Sequence, residues 1–112
     1  MPTFDPGDIV RVPFPYTDRS TRQRRPALVV SRGGIGRNEG LLRVLMITSA
    51  ENAGWPDDML IDETREATGL PIPSIVRAAK IATVEAAETD RIGRLSDAAM
   101  ADISRVLRRL GV

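Results

Sequence analysis

Four consecutive apolar residues, Val44–Ile47, lie within the segment Leu41–Thr48, between a glycine-rich stretch and a polar loop. An unbroken apolar run bounded by turn residues indicates a strand that is buried on both faces. Because a chain of 112 residues has room for only one ordinary domain, residues 1–112 are predicted to form a single domain. The strand Leu41–Thr48 is expected at the centre of its sheet.

Alternation of apolar and polar residues predicts further strands on both sides of this central one. They are expected over Gly7–Phe14, Ala27–Ser31, Met59–Ile61 and Ser74–Val84. Pro13 is expected to end the first, because proline cannot donate to a strand ladder. In the segment Ser74–Val84, a bend is predicted near Lys80, with Val76 and Val84 on the same face.

The end of the chain changes from a strand pattern to a helical one. An apolar stripe with helical spacing is formed by Met100, Ile103, Leu107 and Leu110. Ser96 is suited to cap the N-terminus of this helix, and Gly111 is suited to end it. Strands followed by one helix predict a mainly β (α+β) domain with a C-terminal α-helix.

Cysteine and histidine are both missing from the sequence. Disulfides, thiolate metal sites and thiol nucleophiles are therefore excluded, and so is the usual general base of enzymes. We predict neither a metal site nor a cofactor. All basic residues except Lys80 are arginines, whose planar donor fork suits phosphate. The polar segment Tyr16–Arg25 holds several of them, which predicts an exposed cationic loop.

The sequence contains no apolar run long enough to span a membrane. The segment Met1–Asp8 has neither a basic stretch nor a hydrophobic one, so it does not resemble a secretory signal. We therefore expect a cytoplasmic protein that does not bind a membrane.

Five short segments, in this order and spacing, resemble the MazF/PemK family of bacterial toxins. They are GDIV at residues 7–10, RRPALVVS at 24–31, ITS at 47–49, PSIVR at 73–77 and IGRLS at 92–96. The resemblance implies an SH3-like, curved β-barrel with a C-terminal α-helix, as in MazF/PemK/CcdB-type toxins. It also implies a homodimer that is neutralised by a cognate, MazE-like antitoxin.

The same resemblance implies the activity of a toxin in a toxin–antitoxin system. Most such toxins are metal-independent endoribonucleases that cut single-stranded RNA at short sequence motifs, and messenger RNA is the expected target. Two alternatives stay open, because one fold can serve several functions. One is a protein-binding poison of DNA gyrase on the same fold, and the other is a non-catalytic RNA-binding module.

Arg25 and Thr48 match the catalytic positions of the resembled family. Metal-free RNA cleavage needs no strong nucleophile from the protein, because the 2′-hydroxyl of the substrate attacks the phosphate. An arginine held by the following Pro26 can stabilise the negative charge that builds on the phosphorus. The hydroxyl of Thr48 can donate a hydrogen bond to a phosphate oxygen.

Further residues are predicted to bind the RNA through charge, hydrogen bonds or stacking. They are Tyr16, Arg19, Arg22, Arg24, Ser49, Trp55 and Arg77. Some relatives place an acid two residues after the arginine at position 77, but this chain has Ala79 there, so Arg77 has a structural role as its alternative. The general base is left open among Asp18, Glu51 and Asp57.

Overall fold

The computed structural model describes residues 3–13 and 24–111. The strands in this part of the chain are β1 (Asp8–Pro13), β2 (Arg24–Val29), β3 (Leu41–Ser49), β4 (Asp58–Leu60), β5 (Ser74–Glu85) and β6 (Asp90–Arg94). The α-helices are α1 (Arg65–Thr68) and α2 (Asp97–Leu110). Single 3-10 turns occupy Arg37–Glu39, Ala50–Asn52 and Ala86–Glu88. No helix in these ranges is long and apolar enough to cross a membrane.

The strands form one antiparallel sheet in the order β4-β5-β3-β2-β1-β6. Two register shifts, between Ile9 and Val10 and between Leu45 and Met46, interrupt its ladders. Such irregularities bend strands and increase their twist. The curved, mainly β fold with a C-terminal helix is confirmed, and the barrel is open, since β4 and β6 form the two ends of the sheet.

The central strand β3 is buried on both faces, as its sequence predicts. Val44 and Leu45 are fully buried on opposite faces. On one face, side chains of β1, β2, β3 and β5 pack with Phe4. On the other face, α2 covers the sheet through Ile103, which is 2% exposed. Ser96 caps α2 by accepting a hydrogen bond from the Ala99 N–H at 3.2 Å, as predicted.

The predicted bend in β5 is confirmed, but the predicted sharing of one face by Val76 and Val84 is wrong. Along β3 the pairing moves one residue, from Leu45 to Met46, while along β5 it moves from Ile81 to Arg77. Three residues of β5 are therefore extra. Because an odd number of extra residues reverses the facing of a strand, Val76 packs on the helix side of the sheet and Val84 on the opposite side.

The segments GDIV and IGRLS meet at a buried carboxylate. The side chain of Asp8 is fully buried, and its Oδ1 accepts a hydrogen bond from Arg94 Nη1 at 2.8 Å. Its Oδ2 accepts one from the Asp5 N–H at 2.9 Å. The Leu95 N–H also donates to the Gly7 carbonyl at 2.8 Å. These contacts fix the entry of the chain into α2 against the start of β1.

Two glycines allow α1 to lie directly on the backbone of β6. A Cβ atom at Gly93 would lie 2.2 Å from the carbonyl carbon and oxygen of Thr68. A Cβ atom at Gly69, which ends α1 with a φ of +72°, would lie 2.2 Å from the carbonyl oxygen of Ile92. This contact fixes the position of the segment 70–73, which follows α1 directly.

Candidate active site

The candidate site begins where the pairing between β2 and β3 ends. The last pair of that ladder joins Ala27 to Met46. The next residue on β2 is Pro26, which has no N–H to donate. The same register, carried two residues past the last pair, places Arg25 opposite Thr48. Residues opposite each other in an antiparallel pair point to the same face of the sheet.

A groove of about 360 Å³ opens at this end of the sheet. Four residues predicted from the sequence to act on RNA line it: Arg24, Arg25, Thr48 and Ser49. Arg11 and Asn52 also line the groove, although neither was predicted from the sequence to contribute to the site. The segment 70–72, with Ile92 of β6, forms an apolar wall. Of the described residues that line the groove, none is a carboxylate, so its charged side chains are all arginines.

The hydroxyl of Thr48 has a defined partner. Asn52 Nδ2 donates a hydrogen bond to Thr48 Oγ1 at 3.0 Å. The hydroxyl of Ser49 caps the 3-10 turn Ala50–Asn52 by accepting from the Glu51 N–H at 3.2 Å. Ser49 therefore helps to shape the turn that carries Asn52. Since Thr48 Oγ1 acts as an acceptor toward Asn52, its own proton is left to donate elsewhere.

Arg77 lies outside the lining of the groove and is held by Asp58 of β4. Its Nε and Nη2 donate to the two carboxylate oxygens of Asp58, at 3.1 and 3.0 Å. Nη2 also donates to the backbone carbonyl of Asn52 at 2.7 Å. The Arg77 side chain is only 11% exposed. The acid that Ala79 does not supply thus comes from a different strand.

Trp55 stacks on Arg77. The guanidinium carbon of Arg77 lies 4.1 Å from the centroid of the indole ring, a cation–π distance. Trp55 is nevertheless 50% exposed. The loop before β4 is fixed by Asp58 Oδ2, which accepts hydrogen bonds from the N–H groups of Gly54 and Trp55 at 3.1 and 3.0 Å. Trp55 is therefore placed next to the loop that supports Asn52, rather than in the core.

The Arg77–Asp58 pair makes the stability of this loop dependent on pH. The pKa of Asp58 is lowered from its ordinary value of 3.8, chiefly by the hydrogen bond from the Arg77 side chain, while burial opposes the shift. The pKa of Arg77 is raised, chiefly by the same hydrogen bond. A carboxyl whose pKa is lower in the folded state stabilises the fold above its unfolded pKa, and this stabilisation is lost as the pH falls through the folded value.

We expect Asp58→Asn to lower the melting temperature at pH 7, and the difference from the wild type to shrink below the ordinary pKa of 3.8. The physical reason is that the stabilisation from the lowered pKa of Asp58 declines once the unfolded chain binds a proton below 3.8, and it is lost when the folded carboxylate is protonated and its hydrogen bond with the Arg77 side chain loses its ionic character. Thermal unfolding between pH 7 and pH 2 measures this difference. Asp62→Asn, at an exposed position of the next loop, serves as the control. A difference that stays constant down to pH 2 would contradict the assignment.

Arg24 is tied to β6 across the edge of the groove. Its Nη1 forms an ion pair with Asp90 at 2.8 Å. Its Nη2 donates to the backbone carbonyls of Arg11, at 3.5 Å, and Glu88. Arg25, the next residue, is exposed and lines the groove. Because neighbouring residues of a strand face opposite ways, Arg24 fixes the edge of the sheet while Arg25 lies on the side of Thr48.

Three residues predicted to bind RNA, Tyr16, Arg19 and Arg22, lie outside the described residues, as does Asp18. Of the other candidate bases, Asp57 contacts Arg109 at the end of α2. Glu51 is exposed on the 3-10 turn and does not line the groove. Within residues 3–13 and 24–111, no three acidic, cysteine or histidine side chains come together in a group able to hold a metal ion.

The sequence matches one protein family over residues 5–111, described as PemK-like, MazF-like toxin of type II toxin–antitoxin systems. The chain belongs to this toxin family. The match includes all five segments singled out above, as well as both β2 and β3, which border the groove. No curated protein matches the sequence significantly.

Solved structures of MazF proteins share the fold of this PemK/MazF-family chain. A chain of the MazE–MazF complex from Deinococcus radiodurans is 20% identical with a TM-score of 0.74, and the alignment covers 100% of this chain and 99% of that one. MazF from the same organism is 20% identical with a TM-score of 0.70, covering 100% of both chains. An endoribonuclease bound to its cognate antitoxin, from a mycobacterial species, is 21% identical with a TM-score of 0.69, covering 100% and 97%.

Proposed function

We propose that this PemK/MazF-family toxin is a metal-independent endoribonuclease that cleaves single-stranded RNA. The observation that carries the proposal is the groove at the end of the β2–β3 ladder, which both Arg25 and Thr48 line and where Asn52 donates a hydrogen bond to the hydroxyl of Thr48. Arginines are the only charged side chains among its described lining residues, so the groove suits a polyanion.

In the proposed reaction, the 2′-oxygen of a ribose attacks the adjacent phosphorus. A bond forms between O2′ and phosphorus as the bond between phosphorus and O5′ breaks. The 2′-hydroxyl loses its proton and the departing 5′-oxygen gains one, so the products are a 2′,3′-cyclic phosphate and a free 5′-hydroxyl. The protein then needs to position the RNA and to stabilise the charge that develops on the phosphorus.

Arg25 and Thr48 have separate roles in this proposal. The guanidinium of Arg25 stabilises the additional negative charge on the non-bridging phosphate oxygens. The hydroxyl of Thr48 donates a hydrogen bond to one of these oxygens. Arg11, which lines the same groove, adds attraction for the neighbouring phosphates. This attraction is expected to weaken as salt increases.

Base selection is proposed to come from stacking and edge contacts beside the cleavage site. Trp55 has one ring face against Arg77 and is half exposed, so it can stack on a base. We also propose that the toxin acts as a homodimer and that a MazE-like antitoxin inhibits it by covering the groove. Support comes from the MazE–MazF complex and from the antitoxin-bound endoribonuclease, both of which share this fold.

The proposal is tested by incubating the purified protein, in EDTA, with a long single-stranded RNA and with its DNA counterpart. We expect discrete RNA fragments that end in 2′,3′-cyclic phosphates, and intact DNA. Intact RNA from a protein that still arrests growth in cells would overturn the proposal in favour of a protein target such as gyrase. RNA that is bound and not cut would instead indicate a non-catalytic binding module.

A further inference from the structure

We infer that Asn52 is a positioning residue for Thr48, and that Arg77 and Asp58 hold Asn52 in place. This inference rests on the proposed function, since it assigns Asn52 a part in the same reaction. It also gives Arg77 the structural role that the sequence analysis left open, in place of the predicted contact with RNA. The supporting observation is a continuous chain of hydrogen bonds from Asp58 to the hydroxyl of Thr48.

The contact between Asn52 and Thr48 determines where the hydroxyl proton points. A threonine hydroxyl has one proton to donate and two positions at which to accept. The amide of Asn52 donates to Oγ1 at 3.0 Å, so it occupies one accepting position. The proton of Thr48 is then directed away from Asn52, and both residues line the groove. A hydroxyl oriented in advance loses less freedom when it binds a phosphate oxygen in the transition state.

Asn52 is itself held through its backbone. Its carbonyl accepts a hydrogen bond from Arg77 Nη2 at 2.7 Å, and it ends the 3-10 turn that Ser49 caps. The main chain of Asn52 is therefore fixed, while its side-chain amide donates a hydrogen bond to Thr48. Thr48 and Asn52 are only four residues apart, but the support for Asn52 comes from β5.

Arg77 is well suited to hold Asn52 and poorly placed to bind the substrate. Three of its five N–H donors are used. The Nε–H group and one N–H of Nη2 donate to Asp58, and the second N–H of Nη2 donates to the carbonyl of Asn52. The guanidinium stacks on Trp55 and the side chain is only 11% exposed. Asp58 and Arg77 are also direct partners in the β4–β5 ladder. The sheet therefore determines where the guanidinium lies.

A double-mutant cycle tests the inference. Asn52→Ala is expected to lower kcat for cleavage of a short RNA about five- to tenfold, the effect of one lost hydrogen bond, with KM and the melting temperature nearly unchanged. Thr48→Val, which removes the hydroxyl and keeps the branched shape, is expected to lower kcat about 100-fold. In the Thr48→Val background, Asn52→Ala should have no further effect, because the group that it positions is gone.

Arg77→Lys is expected to lower kcat as Asn52→Ala does, because lysine lacks the planar fork that contacts Asp58 and Asn52 together. In the Asn52→Ala background, Arg77→Lys should lower kcat little further. Two matched controls are available. Asn38→Gly removes the only other asparagine side chain, at a position with φ 59° that glycine accepts readily. Thr83→Val removes an exposed hydroxyl of β5 outside the groove. Both are expected to keep the wild-type kcat.

The outcomes separate the inference from the proposed function. A wild-type protein that does not cleave RNA would overturn both. Cleavage by the wild type with an unchanged kcat in Asn52→Ala would overturn only the positioning role. An effect of Asn52→Ala on KM alone, or one that persists in full in the Thr48→Val background, would show that Asn52 acts on the RNA independently of Thr48, which also contradicts the inference.

Discussion

Replacement of Arg25 by alanine is expected to lower kcat for RNA cleavage by about 100- to 1,000-fold. Removing one hydrogen-bond donor that stabilises the developing charge of a transition state has an effect of this size in other enzymes. The effect on KM should be smaller, because Arg11 and Arg24 still line the groove. Arg25→Lys should recover only part of the rate, since lysine keeps the charge and loses the planar fork. Single-turnover cleavage of a short RNA gives both constants.

The control for this variant is Arg37→Ala, which removes an exposed arginine from the turn before β3, at the end of that strand remote from Thr48. It should cleave RNA at the wild-type rate. Growth arrest in cells should follow cleavage, so Arg25→Ala is expected to be non-toxic. A variant without Arg25 that cleaves RNA normally would remove Arg25 from the mechanism. One that fails to cleave and still arrests growth would point to a protein target.

Gly93→Ala is expected to have the largest effect on stability, lowering the free energy of unfolding by about 3 kcal/mol, at the upper end of the range for overpacked sites. The added methyl group would lie 2.2 Å from backbone atoms of Thr68, and backbone cannot rotate away as a flexible side chain can. Either α1 or β6 must then move. The segment 70–72, which forms a wall of the groove, would move with α1. Chemical denaturation monitored by circular dichroism measures the loss.

Gly40→Ala provides the matched control for this prediction. At Gly40 the φ angle is −86°, and the nearest heavy atom to an added Cβ is the Arg37 carbonyl oxygen at 3.7 Å, an ordinary contact. Its stability should stay close to that of the wild type. If Gly93→Ala lost no more stability than Gly40→Ala, the close approach of α1 to β6 would not be as tight as described above.

Several of the sequence segments that resemble the toxin family have structural roles that their local pattern does not reveal. The glycine of IGRLS is required by the contact with Thr68. The aspartate of GDIV is a buried partner of Arg94, in the segment that leads into α2. The acid that pairs with Arg77 is Asp58, from β4. Spacing along the chain cannot predict these pairs, because strand pairing brings together Asp8 with Arg94 and Asp58 with Arg77, and the packing of α1 on β6 brings together Gly93 with Thr68.

Local sequence was sufficient for the central strand and the terminal helix. Burial on both faces requires an unbroken apolar run, and an amphipathic helix requires a 3.6-residue period. These features are properties of a single segment.

Local sequence was wrong at the start of β2, because Arg24 and Arg25 were predicted in a loop before a strand Ala27–Ser31, whereas β2 spans Arg24–Val29 and pairs both arginines with β1. The effect of Pro26 depends on its neighbours, because the β2–β3 ladder stops before it while the β1–β2 ladder continues through it. The site roles of Arg25 and Thr48, by contrast, were implied by the resemblance of their segments to the toxin family, because an Arg–Pro pair or a threonine at a strand end is not specific by itself.

Only the tertiary structure decided which face of β5 each residue occupies and what holds the site together. The three extra residues of β5 reverse its facing, but they can be counted only against β3. The strand β6 lies at one end of the sheet, where its short sequence carries little apolar pattern. Asn52 supports Thr48, and Arg77 supports Asn52, through two hydrogen bonds that join β3, the turn Ala50–Asn52 and β5. Long-range pairing determines these features, and the period of one segment contains no information about its partners.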